Sequence, residues 1–349
     1  MSNQYEVADP PTDAISALRF SPYPGSHKFA VASWDKFVYL YEISGNKQCT
    51  LLKKFEHRAP VLDVCFGKDD DELYTACLDW DVRRINVQTE EQEVLSTHDA
   101  GVRSVVYSAE HELVISAAWD STLHIHPASP AAAWSAATIN LPSKPFSLSV
   151  STSKLVVAMS NRALHIYELS TLSSECKNTA NALQARLDIE PWQRRESSLK
   201  FMTRAVDCMP NDEGYASSSI EGRVAVEWFD PSSESQARKY AFKCHRQPID
   251  DVDVVYPVNC IAFHPVHGTF ATGGGDGVVA IWDAIAKRRI RIYPKLASSI
   301  AAMSFSSNGK ILATAISPGF EDGKDNIPEG SIGIVIRELG ENEVKRKMK

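Results

Sequence analysis

The chain repeats itself about every 41 residues, and this period narrows the folds open to its 349 residues more than any other property of the sequence. The segments HRAPVLDVCF, from His57, and HDAGVRSVVY, from His98, share the pattern H-x-x-x-V-x-x-V-x-[FY]. Each is followed after the same interval by an aspartate, Asp79 or Asp120, so the paired positions are all 41 residues apart. Such a period predicts a fold built from equal units that stack on one another.

The second half of each unit has a turn with an acidic or amide residue, followed by alternating apolar residues. Six copies align: WDKFVYLYE from Trp34, LDWDVRRIN from Leu78, WDSTLHIHP from Trp119, SNRALHIYE from Ser160, IEGRVAVEW from Ile220 and GDGVVAIWD from Gly275. A seventh is weaker, with SIAAMSFSSNGKILATAIS from Ser299 and the apolar run SIGIVIREL from Ser331. Apolar alternation that is broken at short intervals by Gly, Asp, Asn and Pro is typical of short antiparallel strands.

Units of about 40 to 45 residues that carry four strands and end in Trp-Asp are the signature of WD-repeat blades. We therefore predict an all-β chain that forms a single seven-bladed WD-repeat β-propeller over residues 1–349. The seven cysteines include no C-x-x-C pair, and no histidine is spaced to complete a zinc set. This usage favours reduced thiols in an intracellular compartment, without a metal or another cofactor.

The charge of the chain disfavours some classes of partner. Lys and Arg number 37 against 44 Asp and Glu, a net charge of −7, which argues against coating nucleic acid through a global basic field. No segment approaches the roughly 20 apolar residues that cross a bilayer, and the first residues lack a secretion-signal pattern. We expect a soluble protein that does not bind membranes and that meets acidic or phosphorylated partners with a local basic patch.

The histidines and aspartates that recur along the chain resemble parts of a hydrolase triad. A catalytic triad is a single constellation in one place, whereas these residues return in successive units. We expect His57 with Asp79, and His98 with Asp120, to form buried hydrogen bonds that tie the loop entering a blade to its turn. The sequence thus predicts a protein that is not an enzyme.

The period is broken twice in the second half of the chain. Successive turn positions lie 44, 41 and 41 residues apart from Asp35 to Asn161, but the next two intervals, to Glu221 and Asp276, are 60 and 55. The extra residues fall near 171–198 and 230–257. Because insertions in a propeller map to loops on its faces, often the binding face, both segments are candidate functional surfaces. In the second, Tyr240, Phe242 and Cys244 alternate with Lys239, Ala241 and Lys243 as on a half-buried strand.

Two kinds of side chain stand out as candidates for binding. The residues just before the turn acid form a ring on one face, and two of them, Trp34 and Trp119, are tryptophans, which often anchor interfaces. Packing against the neighbouring blade is an equally good explanation for each. Arg204 lies in the first strand of its unit, near the channel, where an ion pair is the alternative to a binding role. Arg223 lies just before the second insert and Lys243 lies within it, and cations of this kind can capture carboxylate or phosphate.

Three stretches go beyond a generic propeller: SSSIEGRVAVEWF from Ser217, FKCHR from Phe242, and YPVNCIAFHPVHGTFATGGGDGVVAIWD from Tyr256. They resemble the spindle-assembly-checkpoint propellers formed by the third member of the Bub family, whose close paralogue is a messenger-RNA export factor. The resemblance extends over essentially the whole chain, and the tail IPEGSIGIVIREL is more similar to the checkpoint member than to the paralogue.

The resemblance implies a non-enzymatic adaptor in the nucleus and, during mitosis, at the kinetochore. It would bind GLEBS segments of a checkpoint kinase and of the kinase's paralogue through Trp34, Trp119 and Arg204. It would hold the phosphothreonine of MELT repeats, in an outer-kinetochore scaffold, with Arg223 and Lys243. Ubiquitin polymers, or members of the complex that inhibits the anaphase-promoting complex, are further implied partners. The paralogue implies an alternative, mRNA export through a nucleoporin GLEBS segment and RNA, which the acidic charge disfavours.

Overall fold

The computed structural model describes residues 3–45, 48–132, 134, 136–179, 185–319 and 327–346. They form seven antiparallel sheets of four strands each, one of them extended by a fifth strand, and a separate two-stranded hairpin. The prediction of an all-β, seven-bladed WD-repeat propeller is confirmed. The helices of the described residues are few and short, and none has the length and apolarity needed to span a membrane.

The first half of the chain supplies the closing strand and three complete blades. The strands are β1 (Gln4–Glu6); β2 (Ile15–Phe20), β3 (Lys28–Ser33), β4 (Phe37–Ile43) and β5 (Cys49–Glu56) of blade 1; β6 (Val61–Phe66), β7 (Glu72–Cys77), β8 (Asp81–Asn86) and β9 (Gln92–Thr97) of blade 2; and β10 (Val102–Ser108), β11 (Leu113–Ala118), β12 (Thr122–Pro127) and β13 (Ala137–Asn140) of blade 3. Within each blade the innermost strand comes first and the outer strand last.

The second half supplies the remaining blades, the hairpin and the short helices. Blade 4 has β14 (Pro145–Val150), β15 (Lys154–Met159), a 3-10 turn (Ser160–Arg162), β16 (Ala163–Glu168) and β18 (Gln193–Glu196), with α1 (Leu169–Asn178) and β17 (Ala185–Leu187) between the last two; blade 5 has β19 (Thr203–Cys208), β20 (Gly214–Ser219), β21 (Arg223–Trp228), α2 (Ser233–Ala237) and β22 (Tyr240–Lys243). The hairpin is β23 (Arg246–Ile249) and β24 (Val252–Val255); blade 6 has β25 (Val258–Phe263), β26 (Thr269–Gly274), β27 (Val279–Asp283) and β28 (Arg288–Ile292); blade 7 has β29 (Ile300–Phe305), β30 (Ile311–Ile316) and β31 (Gly333–Glu338), and α3 (Glu341–Val344) follows.

The ring is closed by the N-terminal strand. β1 pairs antiparallel with β31, Tyr5 opposite Ile336, and so serves as the outer strand of blade 7. This pairing explains why the seventh unit is weak in the sequence: only three of its four strands follow Ser299. It also covers an edge that would otherwise present unpaired backbone groups.

The apolar core is divided among the contacts between neighbouring blades. The described residues form seven buried clusters, and each is shared mainly by two adjacent blades around the ring. The second strands, such as β7, are buried on both faces, whereas the outer strand β22 alternates between half-buried and exposed residues as predicted. The propeller is therefore stabilised unit by unit, and each blade depends on both of its neighbours.

The predicted buried hydrogen bonds are present in blade 3. His98 Nδ1 lies 3.1 Å from Asp120 Oδ2, and His98 Nε2 lies 3.0 Å from Ser116 Oγ. The bonds join the loop that enters the blade to the turn between its second and third strands. Blade 6 has the equivalent set, His245 with Asp276 and Thr272.

The expected bond between His57 and Asp79 in blade 2 is wrong. His57 Nε2 instead lies 3.0 Å from Thr75 Oγ1, and its Nδ1 lies 3.1 Å from the carbonyl oxygen of Phe55. Asp79 accepts hydrogen bonds from the guanidinium of Arg83, with an N to O distance of 2.5 Å. Burial alone would raise the pKa of Asp79, but the Arg83 hydrogen bond helps to lower it to about 2. A charged guanidinium is the stronger donor and displaces the imidazole.

The second and third strands of each blade join on one face of the ring, which we call the top face; the connection to the next blade runs on the same face. The two predicted inserts lie on opposite faces of the ring. The first follows the end of β16 on the face opposite the top face and contains α1 and β17; its residues 180–184 lie outside the described part. β17 pairs with β13 of blade 3. In the second, the hairpin β23–β24 lies in the connection from blade 5 to blade 6 on the top face.

Candidate functional site

A channel of about 1160 Å³ runs through the centre of the ring, lined by the innermost strands of all seven blades. Trp34, Trp119 and Arg204, which come from three different blades, line this one cavity. The three residues predicted to bind a GLEBS segment are therefore brought together at the channel. Arg223 and Lys243 do not line it and form a separate cluster on blade 5.

The two tryptophans are held by the same backbone bond but differ in exposure. The Trp34 N–H donates to the Ala14 carbonyl at 2.9 Å, and the Trp119 N–H donates to the Gly101 carbonyl at 3.0 Å. Trp34 is 45% exposed, whereas Trp119 is half-buried. The ring of Trp119 lies against Gly101, where an added Cβ would sit 3.2 Å from Trp119 Cε3 and 2.9 Å from Leu78 Cδ2. Trp119 thus packs on the neighbouring loop with one part and faces the channel with another.

Further large apolar side chains are exposed on the top face. The sequence reasoning missed Trp80, Phe201 and Met202, whereas it placed Ile220 in the ring of residues before the turn acids without singling it out. Trp80 is 50% exposed in the turn of blade 2, and Phe201, Met202 and Ile220 are exposed at the entry and turn of blade 5. Only the residue before each turn acid was considered, and Trp80 follows Asp79. The sequence did hold a sign of Trp80: at the residue after the turn acid, two other copies of the repeat have glycine, whereas this copy has tryptophan. We call Trp34, Trp80, Phe201, Met202 and Ile220 the top-face apolar residues.

Arg204 is accompanied by two more arginines in the channel. Arg204 is exposed, its Nη2 donates to Asn259 Oδ1 at 2.9 Å, and it forms no ion pair with any residue that the structure describes. Arg103 lies in the same channel, where burial, with Arg204 and Arg19 close by, lowers its pKa. Arg19 Nη2 lies 3.8 Å from Asp63 Oδ1. Arg103 could have been found from the repeat, because it and Arg204 are both the second residue of an innermost strand.

Arg223 and Lys243 lie directly opposite each other in the antiparallel pair of β21 and β22. Arg223 begins the third strand of blade 5 and Lys243 ends the outer strand, so both are at the top-face end of the blade. Lys243 is exposed and forms no ion pair within the described residues. Arg223 Nε lies 3.5 Å from Glu221 Oε1. The structure thus places two cations side by side and, in the part of the chain that it describes, pairs one carboxylate, Glu221, with them.

A third cation, Arg246, completes this corner of blade 5. Its Nη2 donates to the Glu221 carbonyl at 2.8 Å, and its Nη1 lies 3.2 Å from Asp253 Oδ2 in the hairpin. Among the described residues, three buried polar atoms here have no hydrogen-bond partner: two donors, Arg223 Nε and Arg246 Nε, and one acceptor, Glu221 Oε1. Buried donors without partners are uncommon in native proteins and often mark a place where a ligand or water binds. The corner therefore combines three cations with two carboxylates, Glu221 and Asp253, and the cations, which outnumber these carboxylates, are candidate donors to an oxyanion.

The described residues contain no cluster of three or more His, Cys, Asp or Glu side chains that could hold a metal ion. All seven cysteines are free. Burial raises the pKa of Cys49, Cys176, Cys244 and Cys260 to about 12, so these thiols stay protonated near neutral pH. A protonated, buried thiol is a poor nucleophile.

Comparison with known proteins agrees with this architecture. The family model of the WD domain, G-beta repeat, matches residues 89–126 and 238–283. The chain is 45% identical to the mitotic checkpoint protein BUB3.1 of Arabidopsis thaliana, over 99% of this chain and 95% of that protein. It is 36% identical to the spindle assembly checkpoint protein bub3 of Schizosaccharomyces pombe, over 87% and 88%. It is 32% identical to the mRNA export factor GLE2 of Chaetomium thermophilum, over 94% and 89%.

Proposed function

Because the chain belongs to the Bub3 family of WD-repeat propellers, we propose that it is a non-enzymatic adaptor of the mitotic checkpoint. It binds GLEBS segments of a checkpoint kinase and of that kinase's paralogue on the top face. It also reads threonine-phosphorylated MELT repeats of an outer-kinetochore scaffold, and so recruits the kinases to unattached kinetochores. It works in the nucleus and, during mitosis, at the kinetochore.

The observation that carries the proposal is the cross-strand pair of Arg223 and Lys243. A phosphothreonine brings a charge of about −1.5 to −2 and three strong acceptor oxygens. The Arg223 guanidinium can donate two parallel hydrogen bonds to a phosphate, and the Lys243 ammonium supplies a point charge. Arg223 Nε lies 3.5 Å from Glu221 Oε1, so the phosphate would be bound by the other N–H groups of the guanidinium. An unphosphorylated threonine offers no such charge.

The channel mouth supports the second half of the proposal. A GLEBS segment is acidic, and Arg204 offers a guanidinium that no carboxylate of the described residues occupies. The exposed indole of Trp34 and the half-buried indole of Trp119 supply apolar area beside it. Interfaces are commonly anchored by Trp and Arg side chains of this kind. The two sites are separate, so one chain can hold both partners at once.

The phosphate dependence tests the proposal directly. We expect calorimetry to show that a threonine-phosphorylated MELT peptide binds at least about tenfold more tightly than the same peptide without phosphate, since each charge-assisted hydrogen bond contributes about 1.5 to 3 kcal/mol. Equal affinity for the two peptides would contradict phosphothreonine reading. A GLEBS peptide titrated into the same preparation tests the other site independently.

Replacing Trp34 with alanine should weaken GLEBS binding by about thirtyfold, because truncating a central aromatic anchor costs about 2 kcal/mol or more. The thermal midpoint should change little, since almost half of the side chain is in solvent. Trp192→Ala is a matched control: Trp192 is 40% exposed but precedes β18 on the opposite face. A Trp34→Ala protein that binds the GLEBS peptide as tightly as the Trp192→Ala protein would refute the assignment.

Messenger-RNA export is the second candidate function, because export factors are also among the relatives of the chain. Their identity to the chain, 31% and 32%, is below the 45% of the plant checkpoint protein. The net charge of −7 also weighs against RNA binding through a broad basic surface. Crosslinking to polyadenylated RNA in cells separates the two functions, and a strong RNA signal would favour export.

A further inference from the structure

The backbone is left-handed at the same turn position in all six blades with a clear copy of the repeat. The residue after the turn acid has a φ of 74° at Lys36, 77° at Trp80, 66° at Ser121, 62° at Arg162, 63° at Gly222 and 76° at Gly277. Glycine adopts this conformation without steric cost, and two blades have it. A bulky side chain in this region is an outlier. Trp80 is the largest side chain among the six.

Nothing in the described structure compensates for the indole at this position. The side chain of Trp80 is 50% exposed, belongs to none of the buried clusters, and forms no ring contact, cation–π contact or hydrogen bond with a described residue. Its backbone N–H donates to the Cys77 carbonyl at 3.2 Å, and its carbonyl accepts from the His98 N–H at 2.9 Å. Any residue would supply these backbone bonds, so the fold gives no reason for tryptophan here. Strained positions of this kind cluster at functional sites.

The turn that carries Trp80 is held rigidly on both sides. The Arg83 guanidinium lies 2.5 Å from Asp79 Oδ2 and 2.7 Å from Asp81 Oδ2. Arg58, from the loop entering blade 2, lies 3.3 Å from Asp79 Oδ2 and 2.6 Å from Asp81 Oδ2. Because the two acids flank Trp80 and are both paired, the indole is presented by a fixed backbone with its neighbouring charges neutralised. A backbone that is already held in place loses little freedom on binding.

The position of Trp80 indicates what covers it. Blades 1, 2 and 3 present Trp34, Trp80 and Trp119 in the same turn, between the second and third strands, on the top face. Trp34 and Trp119 line the channel, and Trp80 occupies the corresponding turn of the blade between them. An extended acidic segment that runs over the turns of Trp34 and Trp119 would therefore meet the indole of Trp80 on blade 2.

We propose that Trp80 is a third anchor of the top face, and that it binds an apolar side chain of the same acidic peptide that contacts Trp34 and Trp119. The inference rests on the proposed binding of a GLEBS segment and names a specificity-determining residue for it. The partner segment reaches beyond the channel mouth over blade 2, where its apolar side chain removes the exposed indole from water.

The test compares stability and binding in Trp80→Gly. Glycine relieves the left-handed strain, so the thermal midpoint should stay level or rise by a few degrees. The dissociation constant of a synthetic GLEBS peptide, measured by calorimetry, should rise at least about tenfold. Ser121→Gly is the matched control in blade 3: it makes the same backbone change at a φ of 66° and should leave the affinity unchanged. Trp80→Asn, which also tolerates this conformation, should behave as Trp80→Gly does.

The outcomes separate this inference from the proposed function. If the wild-type chain binds the peptide and Trp80→Gly binds it equally well, Trp80 is not an anchor, although GLEBS binding stands. If Trp80→Gly lowers the thermal midpoint by several degrees, the indole is a structural part of the fold and the inference is overturned. If the wild-type chain does not bind the peptide, the proposed function fails and the inference falls with it.

Discussion

Replacing Arg223 with glutamate is expected to abolish the preference for a phosphorylated MELT peptide. The substitution removes the fork of donors and adds a second carboxylate next to Glu221, which already lies 3.5 Å from Arg223 Nε. Loss of one partner of a hydrogen-bonded charge pair costs about 2 to 5 kcal/mol, so the affinity for the phosphopeptide should fall by a factor of about 30 or more. Calorimetry with both forms of the peptide measures this fall.

The control for this variant is Arg289→Glu, in the exposed outer strand of blade 6, which changes the net charge by the same amount. It should leave the phosphopeptide affinity within about twofold, because Arg289 is exposed on another blade, where solvent and salt screen its charge. Arg223→Lys should retain part of the affinity, since an ammonium keeps the charge without the planar fork. An Arg223→Glu protein that still prefers the phosphorylated peptide would show that the phosphate binds elsewhere.

The fold was predictable because a repeat puts the same constraint on the sequence several times. A single Trp-Asp or a single His would carry little weight, but copies from Trp34 to Gly275 in register specify the strands and the ring. Blade 7 was the hardest unit to recognise for a physical reason: its outer strand, β1, comes from the other end of the chain. The sequence near Ser331 could not reveal that pairing.

Sequence reasoning could propose candidate site residues only where a side chain departs from the repeat at a position that the alignment already compares. Trp34 and Trp119 became candidates in this way, whereas Trp80 did not, because it lies two residues after Leu78. The prediction of a bond between His57 and Asp79 is wrong because the long side chain of Arg83, four residues after Asp79, pairs with that carboxylate instead. Repeat patterns indicate which backbone positions correspond. They do not indicate which of several polar neighbours will donate the hydrogen bond to a given acceptor.

Buried histidines should make this protein sensitive to mild acid. Burial lowers the pKa of His57 and His264 to about 4, and that of His124 and His126 to about 3. His98, which stacks on His124 at a ring distance of 3.5 Å, adds to the effect at His124. Each of the four is at most 9% exposed. The folded protein therefore holds them neutral at pH values where the unfolded chain, with an ordinary pKa of about 6.5, protonates them.

The direction of the effect follows from counting protons. Below about pH 6.5 the unfolded chain binds more protons than the folded chain. The free energy of unfolding is therefore undiminished by these histidines above pH 6.5, and it falls as the pH drops towards 4. Asp207 acts in the opposite direction, because burial raises its pKa to about 6 and it stabilises the fold progressively below that pH. Because four histidines outweigh one aspartate, we expect the free energy of unfolding to fall in acid, by an amount on the order of 3 kcal/mol for each buried histidine.

Urea unfolding at several pH values between 7.5 and 4.5 measures how steeply the free energy of unfolding changes with pH. Two variants show which residues cause that slope. His126→Gln, whose amide can keep a bond to Ser96, should flatten the slope by up to about 1.4 kcal/mol per pH unit, because one fewer proton is taken up on unfolding. Asp207→Asn should steepen it, because the opposing group is gone. A free energy of unfolding that stays constant from pH 7 to pH 5, or a slope that neither variant changes, would mean that these histidines are protonated in the folded ring. In that case, the buried contacts of His124 and His126 with Ser96 would have to tolerate a charge.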